Sequence, residues 1–482
     1  MLPFQHIISI DKESKTAVYR QIAVSIIAAI RKGILKPGSH LPGTRELSKA
    51  LEVHRKTVIA AYDELYTQDW INIIPRKYTV VADKIPILRP QQWNDEDPVS
   101  SYENSFNLPF RIIDEKTEKI HTTPPPEVII DDGHPDVRLS PIDELLKTYR
   151  SYTSKRHSIK YANIGTEQGT LRLRQELALY LSETRGLNIR AENILITHGA
   201  QMSIYLAAQL ILGPGSNIIV GSPNYPAANI AFEQTGAILT EVPVDENGID
   251  TEAIEIICRK TKINAVYVIP HHHYPTTVTL SAARRMKLQE LSATYSFAII
   301  EDDYDYDYHY TSSPYLPLAG SSHHGNIIYI GSFSKILDPS LRIGFMIAPE
   351  NFIDQCTALR KIIDVGGDGY MQNALAFLIK EGELKRHIKK AKKIYHQRRD
   401  FLDTLLEDKL GHYLSYTCPS GGMAFWVKLS PEYPVHRLLE IPQLKILRTD
   451  EKSNAFRFGF ASMDEKELEK IVDFLKAAFD RF

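Results

Sequence analysis

Cysteine is nearly absent from this chain. Its 482 residues include three, Cys258, Cys356 and Cys418, and they lie far apart. That rules out a disulfide framework and closely spaced thiolate metal ligands, and it makes a reducing cytoplasm the expected compartment. No stretch approaches the ~18 to 20 uncharged apolar residues needed to span a bilayer. The opening Met1-Leu2-Pro3-Phe4-Gln5-His6 lacks the basic-then-apolar pattern of a secretory signal. Neither sign of charge dominates: 57 Lys and Arg face 59 Asp and Glu. The balance is uneven along the chain, however. Residues 1–82 carry 12 basic against 7 acidic side chains, and the remainder carries 45 against 52. A basic head on an acidic body suggests a polyanionic partner for the head.

What is present is ordinary for a globular protein, 43% apolar and 24% charged, in a chain long enough for two or three domains. Residues 1–82 read as three helices and a hairpin. The first helix spans Ala17 to Lys32, with Val18, Ile22, Ile26 and Ile30 on one face and Gly33 as its stop. The second follows Thr44 as N-cap and buries Leu47, Ala50 and Leu51. The third runs from Arg55 to Gln68 with Val58, Ala61, Tyr62 and Leu65 inward. Two β-rich pieces, Ile71–Ile74 and Tyr78–Val81, complete a winged helix-turn-helix outline. Residues 83–127 hold seven prolines and read as a linker, with Phe106, Leu108 and Phe110 available to dock. Residues 128–482 alternate apolar strands with helical patterns. Strands are expected at 193–197, 218–220, 265–269, 297–300 and 327–330, with helices at 201–212 and 282–293 between them. Such alternation builds a mostly parallel sheet covered on both faces, whose ligands sit at the carboxyl ends of the strands.

Each polar cluster in this half falls just after one of those strands. Gly331-Ser332-Phe333-Ser334-Lys335 places a lysine where burial lowers its pKa and frees its amine to attack an aldehyde. Ser332, Ser334 and Arg342 offer donors suited to a phosphate. Glu301-Asp302-Asp303-Tyr304 closes another strand, with Asp302 33 positions before Lys335. Thr197-His198-Gly199-Ala200-Gln201 opens a helix whose N-terminus also suits an anion.

In this order the blocks resemble the fold-type I pyridoxal-phosphate enzymes. Ser222-Pro223-Asn224-Tyr225-Pro226, Tyr161-Ala162-Asn163-Ile164-Gly165 and Phe456-Arg457-Phe458 extend the match. The head resembles the GntR-type winged helix through Val18–Ile22, Leu35–Pro42, Arg45-Glu46-Leu47 and Arg55-Lys56-Thr57-Val58. Head and body together resemble MocR-type transcriptional regulators.

The resemblance implies an α/β, aminotransferase-like body behind an N-terminal winged helix, with pyridoxal 5'-phosphate as cofactor in an aldimine with Lys335. It implies Asp302 on the pyridine nitrogen, Tyr304 on the ring oxygen and Tyr225 stacked on the ring. The phosphate falls to Gly199, Ala200, Gln201, Ser332, Ser334 and Arg342, with Tyr161 reaching it from a second subunit. Arg457 would bind an effector carboxylate, and Arg45, Arg55, Lys56 and Thr57 would contact double-stranded operator DNA. A homodimer that senses a small amino compound is the expected whole. An aminotransferase and a sensor of the cofactor itself remain alternatives.

Three departures from the family pattern stand out. The wing tip, Ile74-Pro75-Arg76-Lys77-Tyr78, has no glycine. Thr277 occupies a position where glycine is common, after His271-His272-His273, whose consecutive rings cannot all face one metal ion. Ala227 replaces a second carboxylate-binding arginine found in some relatives.

Overall fold

The computed structural model describes residues 4–11, 14, 16–74, 77–83, 108–109, 126–153, 167–310 and 315–482. Tyr161, Pro75, Arg76, Phe106 and Phe110 therefore lie outside the described residues, and Leu108 is exposed. The chain divides into two compact units, residues 1–113 and 114–482.

In the first unit a short helix α1 (Phe4–Ile7) precedes α2 (Val18–Arg31), α3 (Thr44–Ala50) and α4 (Arg55–Thr67). Ile22, Ile26 and Ile30 of α2 close over Leu47, Val58, Ala61, Tyr62 and Leu65, as the helical spacing requires. Ala50 and Leu51 are only half-buried. Thr44 is the first helical residue rather than the cap. Gly43 holds the cap position, and the Thr44 hydroxyl instead accepts from Arg55 Nε at 3.3 Å, tying the starts of α3 and α4 together. Strands β2 (Ile71–Ile74) and β3 (Tyr78–Val81) form the expected hairpin, and β1 (His40–Leu41) adds a third strand in the order β1-β3-β2. The Tyr62 hydroxyl donates to the Pro42 carbonyl at 2.7 Å, fixing the turn that leads into α3.

In the second unit an eight-stranded sheet has the order β5-β12-β11-β10-β9-β6-β7-β8. These strands are β5 (Ile194–Thr197), β6 (Asn217–Ser222), β7 (Ile238–Asp245), β8 (Gly248–Ile249), β9 (Ala265–Val268), β10 (Ala298–Asp303), β11 (Ile327–Ser332) and β12 (Gly344–Ile347). β6, β7, β9, β10 and β11 run parallel, whereas β12 runs antiparallel to both β11 and β5. Burial on both faces explains why these strands read as near-continuous apolar runs.

The apolar pattern of the sequence does not announce a second, smaller sheet. It comprises β13 (Leu414–Tyr416), β14 (Ala424–Leu429), β16 (Thr449–Asp450) and β17 (Ala455–Gly459), in the order β13-β14-β17-β16. The helices Glu383–Leu410 and Glu465–Phe479 contribute Leu402, Leu406, Leu468 and Leu475 to the same core. Beside it, β4 (Val128–Ile130) pairs in parallel with β15 (Leu444–Ile446), which sets the course of the chain just after residue 130.

Candidate active site

The sheet register assembles the site. Ser332 lies opposite Gly344, and Gly344 opposite Thr197, so the ends of β11 and β5 and the start of β12 form one row. Asp303 lies opposite Gly331, which brings the end of β10 alongside. A cavity of about 490 Å³ opens at this edge, a size suited to a small organic ligand. Ala200, Gln201, Tyr225, Asp302, Tyr304, Ser332, Ser334, Lys335 and Arg342 all line it, so the structure gathers side chains from four separate stretches of sequence.

Lys335 sits at the floor of the cavity, where its ammonium donates to the Gly133 carbonyl at 2.7 Å. Burial pushes its pKa below the usual lysine range, and the neighbouring Arg457 charge works in the same direction, against Asp132.

The acidic wall follows from strand alternation. Glu301 and Asp303 turn to one face of the sheet. There Glu301 accepts from the Leu318 and Ala319 amides, and Asp303 accepts from the Tyr329 hydroxyl at 2.5 Å. Asp302 turns to the other face, into the cavity. Its Oδ2 accepts from Tyr267 at 2.6 Å, while its Oδ1 is buried without a hydrogen-bond partner. Burial lifts its pKa to about 7, with Asp303 and Asp305 adding to the rise and the Tyr267 bond opposing it. A buried carboxylate oxygen left open toward a ligand cavity fits the protonated nitrogen of a pyridine ring. Tyr225 stands edge-on to Tyr274, ring centroids 5.3 Å apart, and burial pushes its pKa up to about 12.

The opposite wall is an anion cradle. Gly199 takes a left-handed φ of +84° at the start of the helix Ala200–Ile211. A Cβ there would lie 2.7 Å from Arg342 Nη2, so glycine is required for the guanidinium to approach the helix N-terminus. Arg342 itself donates to the His198 carbonyl at 3.2 Å. The Ser332 and Ser334 hydroxyls share a bond of 3.0 Å within the same wall. The N–H groups at the first turn of the helix, two hydroxyls and a guanidinium suit a phosphate.

Arg457 lies behind the cavity wall rather than on it. It is 1% exposed on β17, and its donors go to the Asp132 carbonyl (2.6 Å), the Pro275 carbonyl (3.0 Å) and the Tyr304 hydroxyl (3.1 Å). Tyr304 donates its own proton to the His272 carbonyl at 2.9 Å. The three histidines diverge: His271 contacts the Tyr315 carbonyl, His272 the Asp305 carboxylate and His273 the Pro223 carbonyl. Thr277 takes the left-handed φ of +62° that glycine would supply without strain.

Asp132 and His134 line the cavity without any signal in the strand-end motifs. The Asp131 carboxylate accepts from the Gly133 and His134 amides at 2.7 and 3.0 Å, an Asx turn that lifts both side chains into the site. The run Asp131-Asp132-Gly133-His134-Pro135 is their one trace in the sequence. In the head, Arg45, Arg55 and Lys56 are exposed and Thr57 is half-buried, at the first turns of α3 and α4.

Comparison with known proteins agrees with both units. Residues 138–475 match the family of class I and II aminotransferases, and residues 18–81 match the gntR family of bacterial regulatory proteins. The chain is 27% identical over 95% of both lengths to the uncharacterized HTH-type transcriptional regulator YdfD of Bacillus subtilis. It is 29% identical to the pyridoxine biosynthesis regulator PdxR of Corynebacterium glutamicum, over 83% of this chain and 81% of that one. Identity to the probable rhizopine catabolism regulator MocR of Rhizobium meliloti is 24%, over 98% and 95%. The Pyrococcus horikoshii kynurenine aminotransferase, solved with PMP, superposes with a TM-score of 0.68 at 25% identity, over 75% of this chain and 92% of that one. The cofactor of this fold is pyridoxal 5'-phosphate, and the open Asp302 oxygen, the buried lysine and the anion cradle fit its nitrogen, aldehyde and phosphate. The chain therefore belongs to the class I and II aminotransferase family, as a MocR-type regulator in which a gntR-family DNA-binding head precedes the aminotransferase fold.

Proposed function

We propose that this regulator senses a small amino compound at the cavity of its second unit and converts occupancy of that site into a change in DNA affinity. The open Asp302 oxygen beside the buried Lys335 carries this reading. The bound cofactor supplies an aldehyde to which amines condense reversibly. Lys335 would be the residue to meet that aldehyde, because burial lowers its pKa and so favours the nucleophilic amine. Asp302, held in place by Tyr267, would hold the proton on the ring nitrogen with its open oxygen. Tyr225, which lines the cavity, would cover the ring. The cradle formed by Gly199, Ala200, Gln201, Ser332, Ser334 and Arg342 would hold the phosphate. Tyr304 lines the effector end of the cavity, and the buried Arg457 guanidinium stands behind it, bonded to the Tyr304 hydroxyl.

At the other end of the chain, Arg45, Arg55, Lys56 and Thr57 contact phosphates and base edges of a duplex operator. A homodimer reading a repeated site is consistent with apolar side chains left exposed near the end of the helix Glu350–Ile363, Ile362 and Val365 among them. In this reading residues 83–127, with their seven prolines, connect the two activities.

The test is a screen of amino compounds by absorbance, with and without operator DNA. The purified protein should be yellow, and Lys335→Ala should lose that colour while keeping basal DNA affinity. A compound that shifts the spectrum and changes DNA affinity supports the sensor. Sustained release of a keto acid with no change in DNA affinity would establish an aminotransferase instead. A DNA response to removal of the cofactor, with no response to any amine, would make the cofactor itself the signal.

A further inference from the structure

The effector end of the cavity already contains a carboxylate. Asp132 lines the cavity, accepts from the Tyr274 hydroxyl at 2.8 Å and lies 3.3 Å from His134 Nδ1. Its backbone carbonyl is also the acceptor for Arg457 Nε. Burial opposes its ionisation, yet Lys335 and Arg457, together with His134 and the Tyr274 hydrogen bond, outweigh that and hold its pKa below the usual carboxylate range. The positive charge of Arg457 is thus balanced from within the protein, and its donors are turned to the Asp132 and Pro275 carbonyls and to Tyr304.

An incoming α-carboxylate would meet this anion before it met the arginine. Like charges placed together in a desolvated site are strongly disfavoured. An ammonium or hydroxyl reaching the same place would find an acceptor ready. Given the reading of the cavity as an amine sensor, we infer that its effector is an amine whose second polar group donates hydrogen bonds, a diamine or an amino alcohol, and that Asp132 selects it over an amino acid.

The experiment uses the cofactor-loaded full chain and matched ligands: ethylenediamine, ethanolamine and glycine, then putrescine and γ-aminobutyrate. Affinity is read from the absorbance shift. The diamine or the amino alcohol should bind at least about tenfold more tightly than its carboxylate counterpart. Asp132→Asn should bring the matched pairs within roughly threefold of each other, whereas Asp132→Glu should retain the preference. Cofactor absorbance and DNA affinity of each variant report its folding independently. Should Asp132→Asn fail to take up cofactor, the wild-type and Asp132→Glu rankings decide. Glycine or γ-aminobutyrate binding as tightly as its partner in the wild type overturns the inference, and so does a full preference surviving in Asp132→Asn. A protein that responds to no amine at all fails earlier, at the sensing reading itself.

Discussion

Replacing Asp302 by asparagine separates what this carboxylate does for the cofactor from what it does to the cofactor-free fold. Its pKa is lifted from 3.8 to about 7 by burial, with Asp303 and Asp305 behind it. The folded state therefore binds this proton more tightly than the unfolded state. Between about pH 4 and pH 7 it holds more protons than the unfolded chain, so stability falls as pH rises through that window. Above pH 7 the penalty is fully present. Each tenfold in proton affinity is worth about 1.4 kcal/mol, so the difference sets a ceiling of ~4 kcal/mol. Asparagine has nearly the same shape, keeps an oxygen for the Tyr267 hydroxyl and carries no charge. Without cofactor, Asp302→Asn should equal the wild type near pH 4 and exceed it by up to ~4 kcal/mol near pH 8. With cofactor the order should reverse near pH 8, because the carboxylate then gains a protonated nitrogen and the amide gains little. Urea unfolding followed by near-UV circular dichroism, across this pH range and with and without cofactor, measures both differences. A variant-minus-wild-type difference that stays flat from pH 5 to pH 8 in the cofactor-free protein would refute the reasoning.

Two further perturbations probe the other wall and the head. Gly199→Ala places a methyl group 2.7 Å from Arg342 Nη2 at a backbone φ of +84°. Displacing one charge-assisted hydrogen bond should weaken cofactor binding roughly ten- to a hundredfold by equilibrium dialysis, and an unchanged affinity would place the phosphate elsewhere. Arg55→Ala should weaken operator binding and flatten its salt dependence by about one unit for each phosphate the side chain no longer neutralises. An unchanged slope in a binding titration would remove α4 from the interface.

How much of this is legible in the sequence follows from how local each cause is. The strands ending at Thr197, Asp303 and Ser332 are buried on both faces, so their apolar runs are visible, and the chemistry-bearing residues follow within a few positions. The winged helix is visible for a related reason, since Ile22, Ile26 and Ile30 recur at helical spacing. β1 is not, because two residues carry no periodicity and His40–Leu41 becomes a strand only by pairing with Thr79 and Val80. β12 is hidden as well. It follows the site loop directly, and its reversed direction is set by its neighbours on both sides, Ser332 opposite Gly344 and Gly344 opposite Thr197.

Asp132 and Arg457 mark the boundary between local and assembled causes. Arg457 can be found because Phe456-Arg457-Phe458 matches a block of the family that the body resembles, and an arginine buried there must have acceptors waiting. Those acceptors are backbone carbonyls at Asp132 and Pro275, 325 and 182 positions away, and no local pattern encodes them. Asp132 reaches the cavity because Val128–Ile130 pairs with Leu444–Ile446 near the far end of the chain, after which the Asp131 turn aims the next side chain inward. Its charge then matters because Lys335 and Arg457 converge on the same point, one from beyond the end of β11 and the other from β17 of the smaller sheet. A cofactor site can thus be read from motifs, since its parts are strand ends repeated along one sheet. The effector end cannot, because it is made where three distant segments meet, and there the side chain that discriminates between ligands looks in sequence like one more acidic residue in a turn.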